Sequence, residues 1–544
     1  MSTKIVFLGG LGEIGRNMMA LENEGRVVVI DAGLSFPTDE MLGVDLVLPD
    51  FSYLKDKDVL GVVLTHGHED HIGALSWFLR DIPAPVFGTP LTLGLASRRP
   101  EEFDVDVEAN DIGEGVGLGP FEITPIPVSH SIPDAVSYCV DTPDGRVLYT
   151  GDFKIDPTPI DGRHTDMEAF RRLGRDGVDL LLSDSTNVET PGRTPSESLV
   201  GDALREIFEG ARRRIVLACF ASNLHRIQQV CEAAGAVKRK VAIVGRSMVH
   251  NVEAGRRLGY LDVPDDLLID VNQLDHFAPH ETVVVCTGSQ GEPLSALSLI
   301  AVGDHKFVHV GDGDTVVLSA SPIPGNESAV HRVINGLYRA GAEVHHPGTI
   351  PVHVSGHAGR DELAEMLDAV RPRHFTPVHG EFRQLALHAR LAESHGVAPN
   401  DIFIVEDGDV LELRDGKVKR GDRVTAGMVF VDGLGVGDVG PVVLRDRRVL
   451  AGDGVLICVI TIDGHTGEVL AGPDLITRGF VHENESRDFL DEAADRVAEA
   501  IDKIEPEMST EWSALKKATR RALGEFVWHS TRRRPMILPI IMEV

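Results

Sequence analysis

Four donor side chains crowd one short stretch of this chain: Thr65-His66-Gly67-His68-Glu69-Asp70-His71. The stretch follows an apolar run at residues 61–64 that reads as a strand, so it sits at a strand end. A surface loop can carry one or two histidines by chance. Three histidines and an aspartate in H-x-H-x-D-H order are hard to explain without metal. Alternate residues His66 and His68 can converge on one ion, while Asp70 and His71 can turn toward a second. Imidazole together with carboxylate suits Zn²⁺ or Mn²⁺.

A second pattern points elsewhere. Gly10-Leu11-Gly12-Glu13-Ile14-Gly15 matches G-x-G-x-x-G after a strand, and Asp31 ends the next strand near the spacing of a dinucleotide-binding acid. A βαβ unit, however, needs a helix of roughly 10 residues between its strands. Residues 17–21 read as a strand and residues 22–25 as a turn. The piece reads as a hairpin with a Gly-rich turn near the site, not as a nicotinamide site.

The elements around these residues change texture along the chain. Over the first ~200 residues, short apolar runs (27–30, 61–64, 121–126, 146–149, 180–182) alternate with Gly, Asp and Pro turns, like strands of a large mixed sheet. From about 200 to 345, helical segments at 198–212, 225–237 and 249–258 alternate with strands at 215–219, 240–244, 283–286 and 315–318, a parallel α/β pattern. Residues 401 to about 463 are Gly-rich and read as strands with tight turns. Residues 486–505 and 509–529 read as amphipathic helices before an apolar strand at 536–541, making a small terminal domain of ~80 residues.

A chain of 544 residues is too long for one core. No run approaches the roughly 20 apolar residues of a membrane span, and the start leads into a strand instead of a signal peptide. The five cysteines are scattered without a C-x-x-C pair, which argues against disulfides and a Cys-based zinc site and fits a reduced cytoplasm. The net charge of −31 argues against a general nucleic-acid binder. The footprint can be local, and residues 205–257 carry 11 Lys or Arg against 4 Asp or Glu, a net of +7. That stretch is expected to face nucleic acid, giving an acidic exterior with an electropositive channel. Arg532-Arg533-Arg534 could also touch nucleic acid or simply be a solvated turn.

The order of motifs resembles the metallo-β-lactamase superfamily. Asp31 in Ile30-Asp31-Ala32-Gly33 looks like its first motif, supporting the site behind the ligands. His130 in Val128-Ser129-His130-Ser131 looks like a ligand joining His66 and His68, and Asp152 in Thr150-Gly151-Asp152 looks like the bridging carboxylate. About 140 residues of α/β sequence then intervene, as in the β-CASP branch. There Asp184, His357 and His379 resemble motifs A, B and C. Within that branch the chain is similar to bacterial ribonuclease J, from residues 8–17 through 183–187, 220–226, 288–293 and 352–358. The resemblance implies an α/β fold: an αββα metallo-β-lactamase sandwich (1–200 and 348–455), an inserted β-CASP domain (201–347), and a linker with a small α+β C-terminal domain (456–544).

The resemblance also implies a chemistry. His66, His68 and His130 would hold one Zn²⁺ and Asp70, His71 and His379 a second, with Asp152 shared and Mn²⁺ as the alternative ion. Such a pair acidifies a shared water and clamps the oxygens of an in-line displacement at phosphorus. His357, oriented by Asp184, would stabilise the transition state or protonate the leaving 3′-oxygen. Glu381 is included in a supporting catalytic role. Ala221, Ser222 and Asn223, with His353, Val354, Ser355, Gly356 and His357, would contact substrate phosphates. The expected activity is a cytoplasmic ribonuclease of RNA processing and decay, 5′-to-3′ exonucleolytic on single-stranded 5′-monophosphorylated RNA and able to cut internally. Apolar faces on the terminal helices suggest a homodimer or homotetramer. Three other readings are open: a β-CASP nuclease acting on DNA or only internally on RNA, a small-ester or thioester metallohydrolase, and a non-catalytic RNA-binding scaffold.

Overall fold

The strands Thr3–Gly9 and Met18–Asn23 run antiparallel, with Ile5 opposite Leu21 and Val6 opposite Ala20. Only the two-residue strand Leu11–Gly12 lies between them. The Gly-rich stretch is therefore the turn of a hairpin, and the βαβ geometry of a dinucleotide site is absent from it. Gly10, Gly12 and Gly15 all have positive φ, which the tight turn requires. The computed structural model describes residues 2–38, 40–97, 103, 105–323, 325–482, 486–504 and 511–544. Its contacts divide the chain into two units, Met1–Phe36 with Leu46–Val429, and Pro37–Asp45 with Phe430–Val544.

The first unit contains an αββα sandwich. One sheet has eight strands, in the order Lys417–Arg420, Val410–Arg414, Thr3–Gly9, Met18–Asn23, Arg26–Ile30, Asp58–Val63, Val86–Gly88 and Ala109–Asp111. The other has six, in the order His374–Val378, Leu180–Asp184, Gly145–Tyr149, Val136–Thr142, Phe121–Pro127 and Val116–Leu118. The strand Arg26–Ile30 explains why both faces are covered. Val28 and Ile30 pack toward Tyr138, Val140 and Leu182 between the sheets. Val27 and Val29 pack outward with Leu75, Phe78 and Leu79 of the helix Leu75–Asp81. The strand must therefore be apolar throughout. Each such side chain, in leaving water, contributes about 1.5–3 kcal/mol. On the far face of the second sheet, Leu148, Leu181 and Phe375 pack with Phe170 of the helix Met167–Asp176 and with Met366 and Leu367 of the helix Arg360–Val370.

Between residues 184 and 374 the chain builds a separate six-stranded sheet. Its order is Leu268–Ile269, Lys240–Val244, Thr282–Cys286, Ile215–Ala218, Thr315–Leu318 and Glu343–His345. Every pair in it is parallel. The first strand in sequence lies inside the sheet, so the loops after Ala218, Cys286 and Leu318 gather at one carboxyl edge. Ligands of open parallel sheets bind at such an edge.

In the second unit the strand Val455–Ile462 pairs antiparallel with Val469–Arg478 and parallel with Met536–Glu543. The helices Arg487–Ile501 and Trp512–Thr531 cover one face, burying Leu490, Val497, Leu515 and Leu523 on Leu456, Cys458 and Ile460. The expected helix limits at 505 and 509 fall outside the described residues. Within the stretch read as all strand, residues 441–453 instead form the helix Pro441–Asp453. Pro441 at its first turn and Gly454 (φ 76°) at its end are the asymmetric signals that mark it. None of its residues is buried, so it offers no apolar stripe to read. No described helix is long and apolar enough to cross a membrane.

Candidate metal centre

Sheet order brings distant motifs together. The strands His374–Val378, Leu180–Asp184 and Gly145–Tyr149 are parallel neighbours. His379, Asp184 and Asp152 therefore emerge at one carboxyl edge, although more than 220 residues separate the first from the last. Asp31 leaves the strand Arg26–Ile30 in a left-handed conformation, φ 61°. Its carboxylate accepts from Thr65 N at 2.8 Å and from Thr65 Oγ1 at 2.9 Å, and it lies 2.8 Å from Nδ1 of His71. Asp31 thus fixes both the loop and the imidazole, leaving Nε2 of His71 for an ion. Gly33 is required by close approach: a Cβ there would lie 1.6 Å from the carbonyl oxygen of Asp70.

The donor atoms form three overlapping groups that share Asp152: His66, His68, His130 and Asp152; Asp70, His71, Asp152 and His379; and Asp152, Asp184, His357 and His379. In the first, His66 Nε2 is 3.0 Å and His130 Nε2 3.1 Å from His68 Nδ1. Both Nε2 atoms lie 3.6 Å from Asp152 Oδ2. A tetrahedron of metal–ligand bonds near 2.0–2.1 Å has edges of about 3.3–3.4 Å, so this spacing fits one zinc ion. In the second, His71 Nε2 is 3.4 Å from Asp152 Oδ1 and 3.6 Å from Asp70 Oδ2. His379 Nδ1 is 2.7 Å from Asp152 Oδ1, and its buried Nε2 has no hydrogen-bond partner.

Electrostatics agrees with the donor geometry. Burial pushes His66, His68 and His130 down, His68 to about 4, so these imidazoles are neutral donors. Burial also opposes charge on His71 and His379, but the surrounding carboxylates outweigh it. Asp152, Asp31 and Asp70 raise His71 well above its ordinary value, and Asp152, Asp70 and Asp184 raise His379 to about 10. The second group is therefore short of positive charge, which a divalent ion supplies. The donors fit two zinc ions.

His357 belongs to the third group, beside the first two. Its Nδ1 lies 2.8 Å from Oδ2 of Asp184, whose Oδ1 accepts from Thr186 N at 2.9 Å and Thr186 Oγ1 at 2.7 Å. The His357 ring is 5.1 Å from that of His130 and 5.5 Å from that of His379. Glu381 is not among the donors. It begins the helix Phe382–Ser394, and its carboxylate pairs with Arg383. The strand Gly380–Glu381 pairs with Leu11–Gly12, so the Gly-rich turn braces the backbone just after His379.

Ala221, Ser222 and Asn223 lie on the carboxyl edge of the inserted sheet. Ala221 and Ser222 are half-buried, whereas Asn223 is buried and caps the helix Leu224–Ala236 by accepting from Arg226 N at 2.9 Å. In the returning segment, His353, Ser355 and His357 are half-buried, and Val354 and Gly356 are buried. Burial pushes His353 down to about 4, with Arg226 adding to the effect, so it is neutral. The carbonyl of Gly356 accepts from Nδ1 of His130 at 2.8 Å, which joins this segment to a metal donor.

The arginine and lysine clusters of the basic stretch do not line this edge. Arg212, Arg213 and Arg214 precede the strand Ile215–Ala218, and Lys238 and Arg239 precede Lys240–Val244, so strand polarity puts them at the opposite, amino edge. There Arg213 lies 3.2 Å from Asp314, Arg214 donates to Thr282, and Arg239 donates to the Ala211 and Arg213 carbonyls. Arg226 is fully buried against Glu197. Of the stretch, Arg246 is exposed after the carboxyl end of Lys240–Val244. In the second unit, Arg532 and Arg534 lie over the ring of Trp528. Arg213, Arg214 and Arg239 thus hold the sheet's amino edge, while Arg246 stands at the carboxyl edge.

Two supporting residues escaped the motif reading. Asn17 donates its backbone N–H to Asp70 O at 3.0 Å and places its amide 3.0 Å from His71 Nε2. Thr65 joins Asp31 to His66, with its hydroxyl 3.1 Å from His66 Nδ1. Both sit inside stretches already singled out, next to residues with stronger donor chemistry.

Comparison with known proteins matches four family models along the chain. They are the metallo-beta-lactamase superfamily at residues 11–190, the ribonuclease J beta-CASP domain at 212–337, a Zn-dependent metallo-hydrolase RNA specificity domain at 348–405, and the ribonuclease J C-terminal domain at 442–544. Ribonuclease J2 of Bacillus subtilis (strain 168) is 41% identical, covering 100% of this chain and 99% of its own length. Ribonuclease J 1 of Streptococcus pyogenes serotype M3 is 41% identical over 98% and 96%. Ribonuclease J 2 of Staphylococcus aureus (strain NCTC 8325) is 40% identical over 99% and 98%. A crystal structure of a protein of unknown function from Enterococcus faecalis V583 shares the fold, with a TM-score of 0.53 at 16% identity over 76% of this chain and all of that one. The chain belongs to the bacterial ribonuclease J family, in the β-CASP branch of the metallo-β-lactamase superfamily.

Proposed function

We propose that this chain is a zinc-dependent ribonuclease that hydrolyses RNA phosphodiesters. It would work 5′-to-3′ on single-stranded RNA with 5′-monophosphate ends, cut internally as well, and serve RNA processing and decay. One observation carries the reading: two donor groups sharing Asp152 stand directly beside the Asp184–His357 pair. A thioesterase or lactonase has no need for that pair or for an inserted α/β sheet. Intact donor groups likewise speak against a scaffold.

His66, His68 and His130 would hold one zinc ion, Asp70, His71 and His379 the other, and Asp152 both. Bound there, the ions supply Lewis-acid charge to phosphoryl oxygens and lower the pKa of a shared water. The chain's own residues do the rest. Ala221, Ser222 and Asn223, with His353, Val354, Ser355 and Gly356, would seat the substrate phosphates through hydroxyl, amide, imidazole and backbone groups. Asp184 fixes Nδ1 of His357, so Nε2 is the atom left to meet the reacting phosphate. As water oxygen bonds to phosphorus it gives up a proton to solvent, the P–O3′ bond breaks, and protonated His357 delivers a proton from Nε2 to the departing 3′-oxygen. The products carry 5′-phosphate and 3′-hydroxyl ends. Glu381, paired with Arg383, serves from outside this set.

Four further assignments belong to the same reading. The domain limits 1–200, 201–347, 348–455 and 456–544 place the centre in the sandwich. Five free, buried cysteines support residence in the cytoplasm. RNA, not DNA, is favoured by the family. A homodimer or homotetramer is favoured by an apolar sheet face in the second unit. An end-labelled 5′-monophosphorylated oligoribonucleotide tests the activity: stepwise release of mononucleotides is expected, and activity confined to a thioester or lactone would sink the reading.

A further inference from the structure

The inserted domain is joined to the sandwich by two crossings, one at Glu197 and one near Val352, and both meet the same side chain. Arg226 lies in the first turn of the helix Leu224–Ala236 and is 0% exposed. Its guanidinium donates to the Glu197 carboxylate, to Ser319 Oγ and to the carbonyl of Val352, while Nε donates to Gln229 at 3.0 Å. Val352 immediately precedes His353. The backbone N–H of Arg226 meanwhile donates to Asn223. One residue therefore bonds to the 221–223 stretch and to the residue just before the 353–357 stretch.

The other end of this network reaches the metal centre. Glu197 N donates to Asp156 Oδ2 at 3.0 Å, and Lys154 Nζ lies 3.3 Å from Asp156 and 3.8 Å from Glu197. Lys154 is two residues from Asp152, and its backbone N–H donates to Ser129, the neighbour of His130, at 2.8 Å. All four charged side chains are buried. A buried ion cluster roughly breaks even with apolar packing, so stability alone does not account for it. The planar five-donor fork holds four acceptors here in fixed directions, whereas a lysine offers three donors from a single point.

We propose that Arg226 is a positioning residue that holds residues 221–223 and 353–357 in register with the metal centre, acting through Glu197, Asp156 and Lys154. The inference rests on the proposed phosphate contacts of those residues. R226K in the full chain tests it, because charge is kept and the fork is lost. Zinc content, thermal melting and steady-state degradation of a 5′-monophosphorylated oligoribonucleotide are compared with the parent. Two zinc ions per chain and cooperative melting should be kept, while KM rises about 10-fold or more and kcat at saturation stays within about threefold. An unchanged KM in folded, zinc-loaded R226K overturns the proposal, as does a fall in kcat that only follows the loss of folded protein. If R226K does not fold, E197Q keeps the shape of one partner of Arg226 and removes its charge. A KM about two- to fivefold higher is then expected, and an unchanged KM overturns the proposal. A parent chain that leaves RNA intact would instead sink the nuclease reading itself.

Discussion

The carbonyl of Gly356 accepts the Nδ1–H of His130 at 2.8 Å. This bond fixes the tautomer that presents Nε2 of His130 to the first donor group, and it anchors the segment carrying His357 to that donor. A Cβ on Gly356 would lie 2.7 Å from Cε1 and 2.9 Å from Nδ1 of the same ring. G356A should therefore disturb both functions together. Loss of such an outer partner lowers metal affinity by about 10–100-fold. Zinc competition with a chromogenic chelator should show one ion weakened, with RNA turnover falling in step; two tightly held ions in G356A would contradict this coupling.

His357 lies outside the two donor groups proposed to hold zinc, so its removal separates chemistry from metal binding. H357A should keep two zinc ions and bind RNA, yet lose about 10²–10⁴-fold in kcat. D184N should lose less, since the ring remains but its orientation and charge support weaken. In H357A/D184N the losses should not add, because the two act as a unit. Additive losses in single-turnover assays would show independent roles.

H68A addresses the scaffold reading. His68 Nδ1 is the contact common to His66 and His130, so its loss opens the first donor group at its centre. Turnover should vanish while RNA binding, followed by fluorescence anisotropy, stays within about threefold of the parent. Retained turnover would mean that the first group is not catalytic.

The motifs were legible because their chemistry is local. H-x-H-x-D-H announces metal donors within six residues, and the turn at 22–25 leaves no room for the helix of a dinucleotide site. The partnership of Asp184 with His357 spans 173 residues and came only from resemblance, since spacing carries no such signal. The basic stretch misled for a related reason. A count of charges along residues 205–257 ignores which end of a parallel strand each residue flanks, and Arg212 to Arg214 lie at the wrong end. The helix Pro441–Asp453 escaped notice because it buries none of its residues, while its Pro and Gly boundaries could have found it.

Stability should fall on acidification through His388. This ring is buried, its Nδ1 lies 3.0 Å from Ser185 Oγ, and burial holds it down at about 3. In the unfolded chain the same histidine titrates near 6.5. Below that pH the unfolded state binds the proton and the folded state does not, so folding loses free energy as pH falls. Between pH 7 and 5 this amounts to about 2 kcal/mol. The urea midpoint of the parent should drop over that range, and that of H388Q should drop less. Parallel curves for the two proteins would remove His388 as the cause.

The second unit carries the last expectation, and there the structure changes where self-association should occur. Leu490, Val497, Ile501, Leu515 and Leu523 of the two terminal helices are already buried in the unit's own core. The opposite face of its sheet is the one left open. Val455–Ile462 buries its even-numbered residues, so Ile457 and Val459 point away from the helices. Pairing sets them beside Leu538 and Ile540, and Ile457 also lies opposite Ile476. Leu538, Ile540, Met542 and Ile476 are all exposed. For the proposed self-association this apolar patch is the expected contact. A charge placed in it should break assembly without unfolding the chain. I540D should sediment as a smaller species than the parent with a melting temperature close to the parent's. V497D, on the helix side, should instead unfold the unit, since it buries an unpaired charge in the core. An unchanged sedimentation coefficient in folded I540D would move the contact away from this sheet face.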